Sequence, residues 1–137
     1  MFKRIDHVEL VTDRPERIEA FYTDVLGFRV KARDRIETSS RGAPMNLAYL
    51  ELGGSVVEII SYEGAAYEST SAAPAAAAER RGWRMIALEV ENMQRAIDHL
   101  RGKGVAVAWG PRVRESYARA EIRDPDGNPI ELREWFR

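Results

Sequence analysis

The chain has 137 residues, enough for one domain or two half-domains sharing a core, and long enough to bury roughly two-thirds of its unfolded surface. It has no cysteine, which excludes disulfides, thiolate metal sites and cysteine nucleophiles. Twenty-one basic against 22 acidic residues give a net charge of −1, with no footprint for nucleic acid and no polybasic membrane patch. No apolar run approaches the ~18 residues of a membrane span, and MFKRIDHVEL lacks the apolar stretch of a signal peptide. The expectation is a cytoplasmic protein acting on a small molecule.

The first segment, RIDHVELVT (4–12), alternates as a strand does: Ile5, His7, Glu9 and Val11 face one way, Asp6, Val8 and Leu10 the other. In TDRPERIEAFYTDVLGF, Thr12 or Asp13 can cap a helix and Pro15 suits its first turn. Ile18, Phe21, Tyr22, Val25 and Leu26 recur at helical spacing until Gly27 ends it. A strand is expected from Phe28 to about Thr38 and a loop over 39–44. A hairpin over 46–61 should turn at Gly53-Gly54.

The same order then repeats. WRMIALEVE (83–91) is a strand, and Asn92 can cap a helix bearing Met93, Ala96, Ile97 and Leu100. Strands follow over 105–109, 117–123 and 130–135, the last pair joined by the turn cluster DPDGNP. The chain is thus expected as one domain, 1–137, made of a first module (4–62), a linker (63–82) and a second module (83–135). Six of linker residues 72–78 are alanine, with Pro74 among them; a mobile linker and a short helix after Pro74 both fit.

The fold class is therefore α+β. Each βαβββ module is a curved, mostly antiparallel sheet with a helix on its convex face. Val8 and Leu10, and in the second module Ile86, Leu88 and Val90, should lie under the helices. The opposite faces line a concavity that neither module covers alone, so the sheets are expected to pair around a cleft.

Superposing the modules aligns His7 with Met85, and Gly54–Glu58 with Gly127–Glu131. Glu58 interrupts the otherwise apolar run VVEII (56–60). Strand parity points His7 into the concavity, sets Glu58 with Val56 and Ile60, and sets Glu131 with Pro129 and Arg133. Two carboxylates and an imidazole in one half-apolar cleft are costly unless paired. A divalent cation with N and O donors would relieve that cost and keep open positions for substrate.

From IDHVELVT and EAFYTDVLGFRV to MIALEVEN and DPDGNPIEL, the sequence resembles the vicinal oxygen chelate superfamily. That superfamily contains glyoxalase I, methylmalonyl-CoA epimerase, fosfomycin-resistance transferases, extradiol dioxygenases and bleomycin-binding proteins. The resemblance implies the glyoxalase fold, a homodimer, and metal ligands at His7, Glu58 and Glu131. Met85 stands at the fourth ligand position, where a thioether is a soft, weak ligand for Mg, Mn or Zn, so it is expected to line the pocket; the implied cofactor is a divalent ion, Zn, Ni, Mn or Co. Without a second histidine the pattern resembles the glyoxalase–epimerase branch more than the iron dioxygenases. That branch implies a metal-dependent lyase or isomerase, lactoylglutathione lyase-like, acting on a small carbonyl or thioester through an enediolate. By resemblance to glyoxalase I, Glu131 is the catalytic base and Glu58 stays on the metal; spacing alone gives either Glu the base role.

Competing readings accompany each residue. His7 fits an ordinary half-buried histidine. Glu58 has Arg84, Arg119 and Arg123 as candidate ion-pair partners, and Glu131 has Arg133 and Arg123. Trp83, Trp109 and Arg119 are expected at the substrate pocket. The alternative function is a metal-free small-molecule binding protein of the same fold, with Met85, Trp83 and Trp109 supplying an apolar site.

Overall fold

The structure, a computed structural model, describes residues 1–68 and 81–137. The chain divides into two compact units, Met1–Ser69 and Thr70–Arg137. The alanine-rich core of the expected linker, with Pro74, lies outside the described residues.

The N-terminal unit runs β1 (Val8–Val11), α1 (Pro15–Ala20), β2 (Arg29–Ile36), β3 (Met45–Leu52) and β4 (Ser55–Tyr62). Its sheet has the order β1-β4-β3-β2, with β1 parallel to β4 and the other pairs antiparallel. Pro15 stands in the first turn of α1, as expected. The Thr12 hydroxyl accepts from the Arg14 N–H at 3.0 Å. After Ala20 the helix widens into a π turn, Phe21–Val25, in which Leu26 N–H donates to Phe21 O at 3.2 Å. Gly27, at φ +84°, ends it. Ile18, Phe21 and Tyr22 are buried, as are Leu50, Val57 and Ile59 of the sheet. Gly53 and Gly54 close the β3–β4 hairpin at φ +57° and +85°, a two-residue turn that a side chain would strain.

The C-terminal unit repeats the plan. It has β5 (Ile86–Glu89), α2 (Met93–Gly102), β6 (Val107–Val113), β7 (Tyr117–Arg123) and β8 (Pro129–Trp135), in sheet order β5-β8-β7-β6. Asn92 caps α2 by accepting from the Arg95 N–H at 2.9 Å. Met93, Ile97 and Leu100 bury the helix face; Ala118, Ala120, Ile122, Ile130 and Leu132 are the buried side of β7 and β8. Both units thus have the βαβββ order and α+β class read from sequence.

Two local expectations change. Strand β1 is four residues long rather than spanning 4–12, and Val8 is 44% exposed. Val8 does share the face of its partner Val57, but β1 lies at the sheet edge and α1 packs over β4 instead. Strand β6 continues past Trp109 through Gly110-Pro111, which a strand at the sheet edge tolerates.

Candidate metal centre

Register builds the site in the N-terminal unit. Parallel pairing sets Glu9 beside Glu58, and the hairpin sets Tyr49 across from Glu58. Neighbours in register share a face, so these three side chains stand together, opposite the face that carries Val57 and Ile59. His7 precedes Val8 and turns its ring onto the same group. Its Nε2 lies 3.0 Å from Glu58 Oε2 and 3.5 Å from Glu9 Oε1. Its Nδ1 is 2.9 Å from Asp6 Oδ2, so the protonated ring donates to Asp6 and turns its Nε2–H to Glu58, a proton that a metal ion would replace. Glu58 is 5% exposed.

The electrostatics follow from this packing. The hydrogen bond that His7 donates to Asp6 raises the imidazole above its ordinary value, and the Glu58 charge and a hydrogen bond to Glu9 add to it. The same bond holds the Asp6 carboxyl low. Burial, then the charge and hydrogen bond of Glu58, push the Tyr49 phenol up. Beside the cluster lies a hollow of about 510 Å³, lined by His7 and Tyr49 with Arg4, Arg29, Lys31 and Glu51 among others.

His7, Glu9 and Glu58 each offer one ligand atom, all within 4.8 Å of one another. One imidazole nitrogen and two carboxylate oxygens form a donor set that suits Zn, Mn, Co or Ni, so the residues fit a divalent ion.

Glu131 meets a different environment in the C-terminal unit. It is 9% exposed and shares its face with Arg133, as parity indicated. Arg133 Nε donates to its Oε1 at 2.8 Å, and Arg119 Nη2 lies 3.3 Å from its Oε2. Arg123 pairs with Glu121 at 2.7 Å instead. Of the candidate ion pairs, then, Arg133 is the one formed by Glu131, with Arg119 joining it. Within its own unit, the ion pair of Glu58 is to His7.

The remaining pocket candidates also lie in this unit. Trp109 is half-buried, with the guanidiniums of Arg112 and Arg119 at 5.0 and 4.8 Å from its ring centroid. Arg133 stacks on Tyr117 and Trp135 at 4.2 and 4.9 Å. Met85 is half-buried just before β5, and Trp83 is fully exposed. The residues that sequence reasoning overlooked are Glu9, Asp6 and Tyr49. The signal for Glu9 was present, since it lies on the His7 face of the alternating strand.

The sequence profile of the Glyoxalase/Bleomycin resistance protein/Dioxygenase superfamily matches residues 4–132. The chain belongs to that superfamily. Its fold is similar to a glyoxalase family protein from Enterococcus faecalis, at 27% identity and TM-score 0.77, over 97% of this chain and 98% of that one. It is also similar to the trypanothione-dependent glyoxalase I of Leishmania major, at 22% identity and TM-score 0.70, over 96% of this chain and 86% of that one. An antibiotic-binding protein from Streptomyces shares the fold at 20% identity and TM-score 0.66, over 98% of each chain. No curated protein matched in the comparison. Proteins with this fold therefore include both a glyoxalase I and an antibiotic-binding protein.

Proposed function

We propose that this superfamily member is a metal-dependent lyase or isomerase of the glyoxalase–epimerase kind, acting on a small carbonyl or thioester compound. The observation that carries the reading is the 3.0 Å approach of His7 Nε2 to the buried Glu58 carboxylate, with Nδ1 tied back to Asp6. A carboxylate–imidazole pair oriented from behind is the outer-shell arrangement of metal-binding histidines. His7 and Glu58 would hold the ion. When bound, it supplies Lewis-acid polarisation of a carbonyl, the chemistry that enediolate formation needs.

The chain's own residues do the rest. Tyr49 stands across from Glu58 on the neighbouring strand and walls that carboxylate on one side. In this reading Glu131 is the proton-transferring carboxylate that the resemblance implies, and Arg133 and Arg119 orient it. Trp109 and Arg119 are proposed to line the substrate pocket. A homodimer acting in the cytoplasm completes the proposal; Val8 and Val11, 44% and 49% exposed on the edge strand β1, support an interface.

Metal analysis of the purified chain tests the reading. Zn, Ni, Mn or Co should be found bound and should raise the thermal midpoint. A metal-free protein whose midpoint ignores all four ions would sink it. A metal-free binding role is the second reading, favoured by the aromatic–guanidinium face around Trp109, Tyr117 and Trp135. Saturable quenching of tryptophan fluorescence by an aromatic ligand in the presence of chelator would support it instead.

A further inference from the structure

We infer that Glu9 is a third protein donor to the divalent ion, so that the metal centre is built from His7, Glu9 and Glu58 of the N-terminal unit. The inference rests on the metal-dependent reading above and names the donor that takes over from Met85.

The internal repeat isolates Glu9. The β1–β4 register sets Glu9 beside Glu58, and the matching β5–β8 register sets Ala87 beside Glu131. Where the first unit has His7, the second has Met85. The second unit also sets two carboxylates together, Glu131 and Glu121 of β7, but guanidiniums answer both: Arg119 and Arg133 at Glu131, and Arg123 at Glu121. The first unit has two adjacent carboxylates. Among the described residues of this unit, no lysine or arginine pairs with Glu9 or Glu58; both turn to the single His7 ring. Like charges set side by side across a strand pair are destabilising, and a carboxylate as buried as Glu58 is costly without a full countercharge.

A divalent cation supplies that missing charge, and the geometry admits one. Donor atoms at ~2.0–2.2 Å from a tetrahedral ion lie roughly 3–3.5 Å apart. The pairs His7–Glu58 and His7–Glu9, at 3.0 and 3.5 Å, already have that spacing. Glu9 has a side chain 60% exposed, so it can adjust without disturbing the core. Its hard carboxylate oxygen suits these ions better than a thioether does.

Calorimetric titration of the full chain with Mn(II) and with Zn(II), paired with thermal unfolding, tests the assignment. Glu9→Gln keeps the shape and removes the donor charge. It should weaken metal binding by about a hundredfold, at least the loss seen when outer-shell partners are removed. Its metal-induced rise in thermal midpoint should shrink in step. Without metal, Glu9→Gln should be at least as stable as the wild type, because the clash with Glu58 is gone; that readout separates a lost donor from a damaged fold. Wild-type affinity in Glu9→Gln would overturn the inference and leave the metal-dependent reading standing. So would loss of binding in Glu131→Gln alone. A wild-type chain that binds neither ion overturns both.

Discussion

His7 Nε2 and Glu58 Oε2 lie 3.0 Å apart, and on the far side of the same ring Asp6 holds Nδ1 at 2.9 Å. The imidazole is thus clamped between two carboxylates, with its second nitrogen presented to a buried acid. His7→Ala should abolish metal binding. In the metal-free protein it should also cost about 1 kcal/mol, because Glu58 loses a partner in a buried setting. Urea denaturation with and without chelator measures both effects. Equal metal binding by wild type and variant would refute the first.

Glu131 depends on Arg133 in the same way that Glu58 depends on His7. Arg133→Met keeps the side-chain bulk and removes the guanidinium that donates from Nε at 2.8 Å. The variant should lose about 2 kcal/mol, since it strands a largely buried carboxylate with Arg119 alone. Adding Glu131→Gln should return part of that loss. Two losses that simply add in the denaturation midpoints would show that the pair is not coupled.

Gly110 sits where no side chain fits. Its φ is +85°, and a Cβ there would stand 2.9 Å from the Arg119 carbonyl oxygen. Gly110→Ala should cost more than about 1 kcal/mol. Because the contact falls on the backbone of Arg119, the cation–π stack on Trp109 should shift with it. A changed tryptophan emission spectrum in the folded variant is the expected sign, and an unchanged midpoint would contradict the steric account.

Glu63 and Glu51 should contribute to the acid limb of stability, alongside Asp6 beside His7. Arg35, and then Asn46, hold the Glu63 carboxyl below its ordinary value of 4.5, and Arg35 is shared with Glu37. The Gly54 N–H, assisted by Arg29, does the same for Glu51. Both groups are lower in the folded chain than in the unfolded one. Their contribution is therefore complete above pH ~4.5 and is lost as the pH falls through the lower folded values. The urea midpoint should drop in that window, and Glu63→Gln with Glu51→Gln should flatten the drop. Parallel wild-type and variant curves would assign the acid limb to other carboxylates.

Much of the site is readable once the right rule is applied. A two-residue turn at Gly53-Gly54 forces Tyr49 opposite Glu58, and strict alternation puts His7 and Glu9 on one face. Alternation also gives Arg133 to Glu131, two residues away on the same side of β8. It says nothing of Arg119, which reaches Glu131 from the neighbouring strand β7. Nor does it reveal that β1 ends up exposed. Val8 has the apolar character of a core residue, and only the position of β1 at the sheet edge leaves it half uncovered.

By itself the sequence determined the repeated βαβββ order, the α+β class, the hairpin turn and the side of each strand on which the acids stand. These follow from local chemistry: periods of two and 3.6, glycines at positive φ, and caps. The tertiary structure decided which acid neighbours which. That Glu9 lies beside Glu58 while Ala87 lies beside Glu131 depends on parallel pairing between strands far apart in the chain. Parallel register is set by packing over the whole sheet, and no short stretch of residues encodes it.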